Sequence, residues 1–128
     1  MADDSEDDRL FMRLALRNHP RLCIADEVRD GVEVMAYLSG TSVYADRERY
    51  PFPDMLLLDL DMPRFNGYQV LEWLRQQRFP ELKVVVISSS YLKTRVSQSL
   101  ALGADAYHMK ASTRTELKLI VEGLERLL

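Results

Sequence analysis

Apolar residues fall along this chain in two patterns, short unbroken runs and stripes at helical spacing. Met55–Leu60 and Lys83–Ser88 are apolar nearly throughout, of a length that suits a buried strand and not a helix. Leu22–Val28 and the short "AYHM" at Ala106–Met109 read as two more strands. Stripes lie between them. Asp7–His19 carries Leu10, Phe11, Leu14 and Ala15 on one helical face, and Pro20 ends it. Asp30 with Glu33 three positions on is a capping-box pattern for a helix reaching Leu38. Asn66 is placed to cap a helix over Tyr68–Gln77, with Val70, Leu71 and Leu74 inward. A further helix runs to Leu102 and stops at Gly103. Thr113–Leu128 forms the last, on a stripe of Leu117, Ile120, Val121 and Leu124. Ser39–Pro53 is a long polar loop, a length that is uncommon without a function.

Strands that alternate with helices and are apolar on both faces predict an α/β fold, a parallel sheet covered on each side. In such open sheets ligands bind outside the carboxyl ends of the strands. Asp59, Ser88 and Lys110 all fall at that end of their strands, so the three are expected to converge.

Composition narrows the picture. The chain has 128 residues, 47% of them hydrophobic, which suits one globular domain with a single core. A net charge of -3, from 20 acids and 17 bases, gives no electrostatic case for nucleic acid or an anionic membrane surface. No apolar run is long enough to span a bilayer. The lone cysteine, Cys23, cannot close an internal disulfide and is expected to be a buried small residue. Together these predict a cytoplasmic domain. His19 and His108 stand alone and suggest no metal or phosphohistidine role, and Arg47 and Arg49 read as solvated loop surface.

The candidate chemistry joins "DDSEDD" at the front of the chain to Asp59, Ser88 and Lys110. A carboxylate can attack phosphorus and form an acyl phosphate. Beside other carboxylates it needs a divalent cation to remain ionised, and magnesium prefers such hard oxygen ligands. A lysine and a hydroxyl could then take phosphoryl oxygens.

At these residues the chain resembles the receiver domain of two-component response regulators. The resemblance rests on "LLLDLDMPRFNG", with "DMP" two residues beyond Asp59 and Gly67 eight beyond it, and on "ADDSEDD", "VVVISSS" and "LGADAYHMK". It implies a doubly wound, flavodoxin-like sheet and a role for each matching residue. Asp59 would be the phospho-acceptor. Asp3 and Asp4 would hold magnesium with Asp59, Asp4 directly and Asp3 through water, with the backbone carbonyl of Asp61 completing the set. Lys110 would be the cationic partner, Ser88 the mobile hydroxyl and Tyr107 the aromatic switch. The Asp61 carboxylate would face solvent or the incoming water. A histidine kinase or phosphotransfer protein would donate the phosphoryl group. The last two helices and the strand between them would carry the output, to an unnamed protein or to a second copy as a homodimer. No output domain is expected after Leu128. The loop "YADRERYPFPD" resembles an insertion in single-domain receivers that serve phytochrome-type or hybrid histidine kinases.

Three features depart from that pattern. Only Met1 and Ala2 remain of the central strand that normally precedes the acidic pair, so the first strand is expected to be truncated and its two neighbours to lack a shared partner. Ala111 stands where proline is usual, and Ser88 where threonine is commoner. These departures leave open a receiver fold that no longer takes phosphate. The "DLD" of Asp59–Asp61 also resembles the first motif of haloacid-dehalogenase-type phosphatases, but Pro63 stands where those enzymes place threonine or valine.

Overall fold

The computed structural model describes residues 1–128. Three strands, β1 (Met55–Leu58), β2 (Lys83–Ser88) and β3 (Ala106–Met109), form a parallel sheet in that order. Leu57 lies opposite Val85, and Val85 opposite Ala106. Five helices surround it: α1 (Glu6–Leu16), α2 (Gly31–Ser39), α3 (Gly67–Arg75), α4 (Lys93–Ala101) and α5 (Arg114–Glu125). The two-residue period of the strands sorts the core into two layers. Leu56, Leu58, Val84 and Val86 pack with Val34 and Leu38 of α2 and with Val70 and Leu71 of α3. Leu57, Val85 and Ile87 point the other way, onto Met12 and Leu16 of α1 and Ile120, Val121 and Leu124 of α5. Burial on both faces is why these strands read as unbroken apolar runs.

Local chemistry sets the helix boundaries. The side chains of Ser5, Asp30, Asn66 and Thr113 accept from backbone N–H groups in the first turns of α1, α2, α3 and α5. At α3 the pair is reciprocal, Gln69 accepting the N–H of Asn66 at 2.9 Å. At α2 it is not: Glu33 reaches the N–H of Arg29 at 3.4 Å instead of that of Asp30. Gly40 and Gly103 close α2 and follow α4 with φ of +66° and +105°, the left-handed region that a Cβ disfavours.

Four expectations change. The buried stripe of α1 is Arg9, Met12 and Leu16, while Leu10, Phe11 and Leu14 are exposed. Arg9 disguised that face. Its guanidinium is buried because it donates to the Asp3 carbonyl at 2.7 Å and to Glu27 at 3.1 Å, which satisfies a charge that would otherwise be costly inside. Leu22–Val28 is extended but forms no strand beyond a bridge at Val28. The cause lies next to it. Met1–Asp3 fills one end of the slot between Leu22–Val28 and β1, where Ala2 donates to Leu57 at 2.8 Å and accepts from Asp59 at 2.9 Å. On the other side Val28 donates to Met1 at 2.9 Å and accepts from Asp3 at 3.0 Å. The stub therefore does bridge the two neighbours, though only at this end. Cys23, farther along that unpaired segment, is exposed and not buried.

The long loop is held by aromatic residues. It contains a single 3-10 turn at Ser42–Ala45, and the rings of Tyr37, Tyr44 and Tyr50 meet with centroids 4.9–6.2 Å apart. Arg47 is not a free surface charge. It donates to the carbonyls of Leu38 and Tyr50 and lies over the rings of Tyr37 and Phe52.

Candidate functional site

The carboxyl ends of the strands meet the start of the chain. β1 ends at Leu58, so Asp59 is the first residue past the ladder, and its N–H is fixed by the Ala2 carbonyl. Gly67 brings α3 against this turn. Its N–H donates to Leu60 at 2.9 Å, and a Cβ there would stand 2.5 Å from the Asp59 carbonyl oxygen. Only glycine permits that approach. The stub delivers Asp3 and Asp4 alongside. Asp3, Asp4 and Asp59 each offer a carboxylate oxygen, all within 4.8 Å of one another. Asp3 and Asp59 are buried and Asp4 is exposed.

Lys110 follows β3 and reaches back across the sheet. Its backbone N–H donates to the Ser88 carbonyl at 2.8 Å. Its Nζ lies 2.7 Å from Asp8, 3.1 Å from Asp3 and 3.5 Å from Asp59. Three carboxylates thus surround one ammonium, with Asp4 close to two of them. Burial first, and then the charge of Asp3, push Asp59 up to about 6, against the pull of Lys110. Burial likewise raises Asp3. For Lys110 burial works against the charge, but the bond to Asp8 and the charges of Asp59 and Asp3 prevail and hold it above its usual value. The site carries surplus negative charge on hard oxygen donors, and a small divalent cation fits that set.

The remaining predicted residues sit at the rim. Ser88 is fully buried, its Oγ accepting the N–H of Ser90 at 3.3 Å. Tyr107 is half-buried on β3, donates its hydroxyl to the Ser90 carbonyl, and meets Tyr91 edge-on. Both side chains therefore hold the same segment after β2. The Asp61 carboxylate does not face solvent alone. Arg95 of α4 grips it with two bonds, of 2.7 and 3.2 Å, while donating to the Tyr68 hydroxyl at 3.1 Å. Ala111 packs against the layer of α1 and α5.

Two functional neighbours were not singled out from the sequence. Asp8 lay unmarked inside "DDSEDD", although it sits in the first turn of α1 and its carboxylate reaches Lys110 at 2.7 Å. Arg95 gave no signal, because 34 residues separate it from Asp61.

The description "Response regulator receiver domain" belongs to the family that matches residues 1–122. This chain belongs to that family. It is 35% identical over 101 residues to the response regulator Rcp1 of Synechocystis sp., a match covering 77% of this chain and 65% of Rcp1. The Mn(2+)-bound form of Rcp1 superimposes with a TM-score of 0.82 at 29% identity, over 97% of this chain and 88% of that one. The phosphorylated cyanobacterial phytochrome response regulator RcpA gives 0.85 at 32% identity, over 98% and 88%. This receiver's sheet and flanking helices are therefore the flavodoxin-like arrangement of its relatives, and the chain resembles phytochrome response regulators in particular. A receiver of this family is a signalling domain, and no helix here is long and apolar enough to cross a membrane.

Proposed function

We propose that this receiver works in the cytoplasm as a phosphorylation switch, accepting a phosphoryl group from a histidine kinase or phosphotransfer protein onto Asp59. The observation that carries the reading is the grouping of three carboxylate oxygens within 4.8 Å beside the ammonium of Lys110. In the transfer, an Asp59 oxygen bonds to phosphorus as the bond from phosphorus to the donor imidazole nitrogen breaks, and the imidazole leaves to take up a proton. Positioning and charge neutralisation supply most of the acceleration in such transfers.

Magnesium is the cation whose ligand preference suits Asp3, Asp4, Asp59 and the Asp61 carbonyl, and when bound it would offset charge on the phosphoryl oxygens. That a relative is described in a Mn(2+)-bound form supports a divalent ion. Lys110 pairs with one phosphoryl oxygen, exchanging part of its present contact with Asp8 or Asp3. Ser88 rotates its hydroxyl to another, which draws on the segment up to Ser90. Tyr107, bonded to the Ser90 carbonyl, is thereby coupled to the site and relays the change to the face of α4, β3 and α5. Phosphorylation adds roughly 1.5 to 2 negative charges at one point and biases a two-state equilibrium in what that face binds, a downstream protein or a second copy. The likeness to phytochrome response regulators favours a phytochrome-type or hybrid kinase as donor.

Incubation with a small phosphodonor and magnesium, read by intact mass, tests the assignment. One acid-labile phosphate is expected on the wild-type chain and none on Asp59→Asn. An adduct that survives in Asp59→Asn refutes the acceptor. No adduct on the wild type leaves the other reading, a receiver fold acting only as an interaction module.

A further inference from the structure

The loop from Asp59 to Gly67 turns sharply at Arg64, which takes a φ of +64°. Across that residue the Phe65 N–H donates to the Pro63 carbonyl at 2.7 Å. A positive φ under a bond between residues two apart marks a γ-turn of the rare, strained kind. Such a turn persists where its surroundings hold it, and the holder here is the start of α2. The Gly31 N–H donates to the Phe65 carbonyl at 2.9 Å, so close that a Cβ on Gly31 would stand 2.2 Å from that oxygen. Beside it the Arg64 guanidinium donates twice to one oxygen of Asp30, at 2.9 and 2.6 Å. The other Asp30 oxygen caps α2 by accepting the Glu33 N–H at 2.9 Å. Asp30 is buried, and its charge is costly there without a partner.

We propose that Arg64 is a positioning residue for the cation site, its pair with Asp30 locking the loop so that the Asp61 carbonyl stays beside Asp59. The inference rests on the reading of Asp59 given above. The Asp61 N–H reaches the Asp59 carboxylate at 3.3 Å, a long bond, and no backbone N–H donates to the Asp61 carbonyl. The direction of that carbonyl is therefore set through the rest of the loop. Met62 and Phe65 seat their side chains in the core, and the turn at Arg64 fixes how the chain passes from one to the other. Gly67, donating to the Leu60 carbonyl at 2.9 Å, closes the loop at its base. The crest is held by α2 alone among the helices, through Asp30 and Gly31.

Calorimetric titration of magnesium into the full 128-residue chain tests this, beside Arg64→Gly, Asp30→Asn and Arg64→Lys. Glycine accepts the positive φ and asparagine keeps a capping oxygen, so the first two variants lose the pair and should still melt near the wild type. Each should bind magnesium about three- to tenfold more weakly, a modest loss because the Arg64 side chain is 60% exposed. The double variant should lose no more than either alone, since one interaction has been removed. Arg64→Lys, which keeps a cation for Asp30, should recover most of the affinity. Phosphorylation by a small phosphodonor should slow in the first two variants at low magnesium and regain the wild-type rate at saturation. Without magnesium, hydrogen exchange at the Gly31 and Phe65 amides should quicken in both. A lowered melting temperature with unchanged affinity would make the pair a structural tie only and overturn the proposal. So would additive losses in the double variant, or a wild-type chain that binds no magnesium. A wild-type chain that binds magnesium and takes no phosphate refutes Asp59 as the acceptor, and the affinities then still decide the role of Arg64.

Discussion

Lys110 is the residue on which the site balances. It stands among Asp3, Asp8 and Asp59, and its shortest contact, 2.7 Å, is with Asp8, outside the trio whose oxygens gather for a cation. Asp8 therefore competes with an incoming phosphoryl group for the same ammonium. Asp8→Asn should release Lys110 toward that group and lengthen the lifetime of the phosphorylated form by about two- to fivefold, the range of a partly exposed charge-assisted bond. Following loss of the labile phosphate by intact mass checks this, and an unchanged or shortened lifetime refutes the competition. A second prediction concerns Arg95, which closes on Asp61 from α4. Because that pair is largely open to solvent, Arg95→Ala should alter stability by no more than about 1 kcal/mol in a urea melt. It should, however, speed hydrogen exchange in α4, which has no side-chain N-cap of its own. Unchanged exchange there would mean that the pair does not tether the helix. Residues at strand ends, such as Asp59, Ser88 and Lys110, were legible because an apolar run fixes where its polar successor emerges. Asp8 and Arg95 were not, because each reaches its partner through space from the side of a helix.

At the scale of elements, close approach matters more than propensity. Gly67 opens α3, and a methyl group there would meet the Asp59 carbonyl oxygen at 2.5 Å and the Leu60 Cα at 2.7 Å. Both obstacles are backbone and cannot rotate away. Gly67→Ala should therefore destabilise the chain by roughly 1–3 kcal/mol, as overpacking does, even though alanine is the better helix former. It should also slow phosphorylation of Asp59, since α3 and the end of β1 must part. A variant as stable as wild type in urea would contradict the packing. The same contrast explains what the hydrophobic pattern conveyed. β2 was readable to the residue because it is buried on both faces, and the half-buried edge strand β3 because turn residues bound its short run. The stripe of α5 was readable too, its core being Ile120, Val121 and Leu124. The face of α1 was misassigned because a buried arginine occupies its stripe. The segment Leu22–Val28 has a strand's composition without a strand's ladder, since composition reports burial while pairing depends on a neighbour.

For the molecule as a whole, the acidic site sets a pH dependence of stability. Asp59 is pushed up to about 6 in the folded chain, whereas an unfolded aspartate titrates near about 4. Between those values the folded chain holds a proton that the unfolded chain has released, so stability falls as pH rises through that window. Below it the carboxyl is neutral in both states and exerts no penalty. Above about 6 the ionised Asp59 sits buried beside Asp3, and the penalty is complete. Asp59→Asn removes it. With a chelator present, the variant should be more stable than wild type by about 3 kcal/mol at neutral pH, from a shift of about two units. The advantage should shrink on acidification and vanish near about pH 4. Magnesium should stabilise wild type at neutral pH and do little for the variant, because cation binding to the folded state alone adds stability by mass action. Urea melts across that pH range, with and without magnesium, decide the matter. A variant less stable than wild type at neutral pH in chelator would mean that Asp59 is held ionised by Lys110 at no cost to the fold. The crowding of Asp3, Asp8 and Asp59 around one ammonium, with Asp4 close by, argues against that outcome.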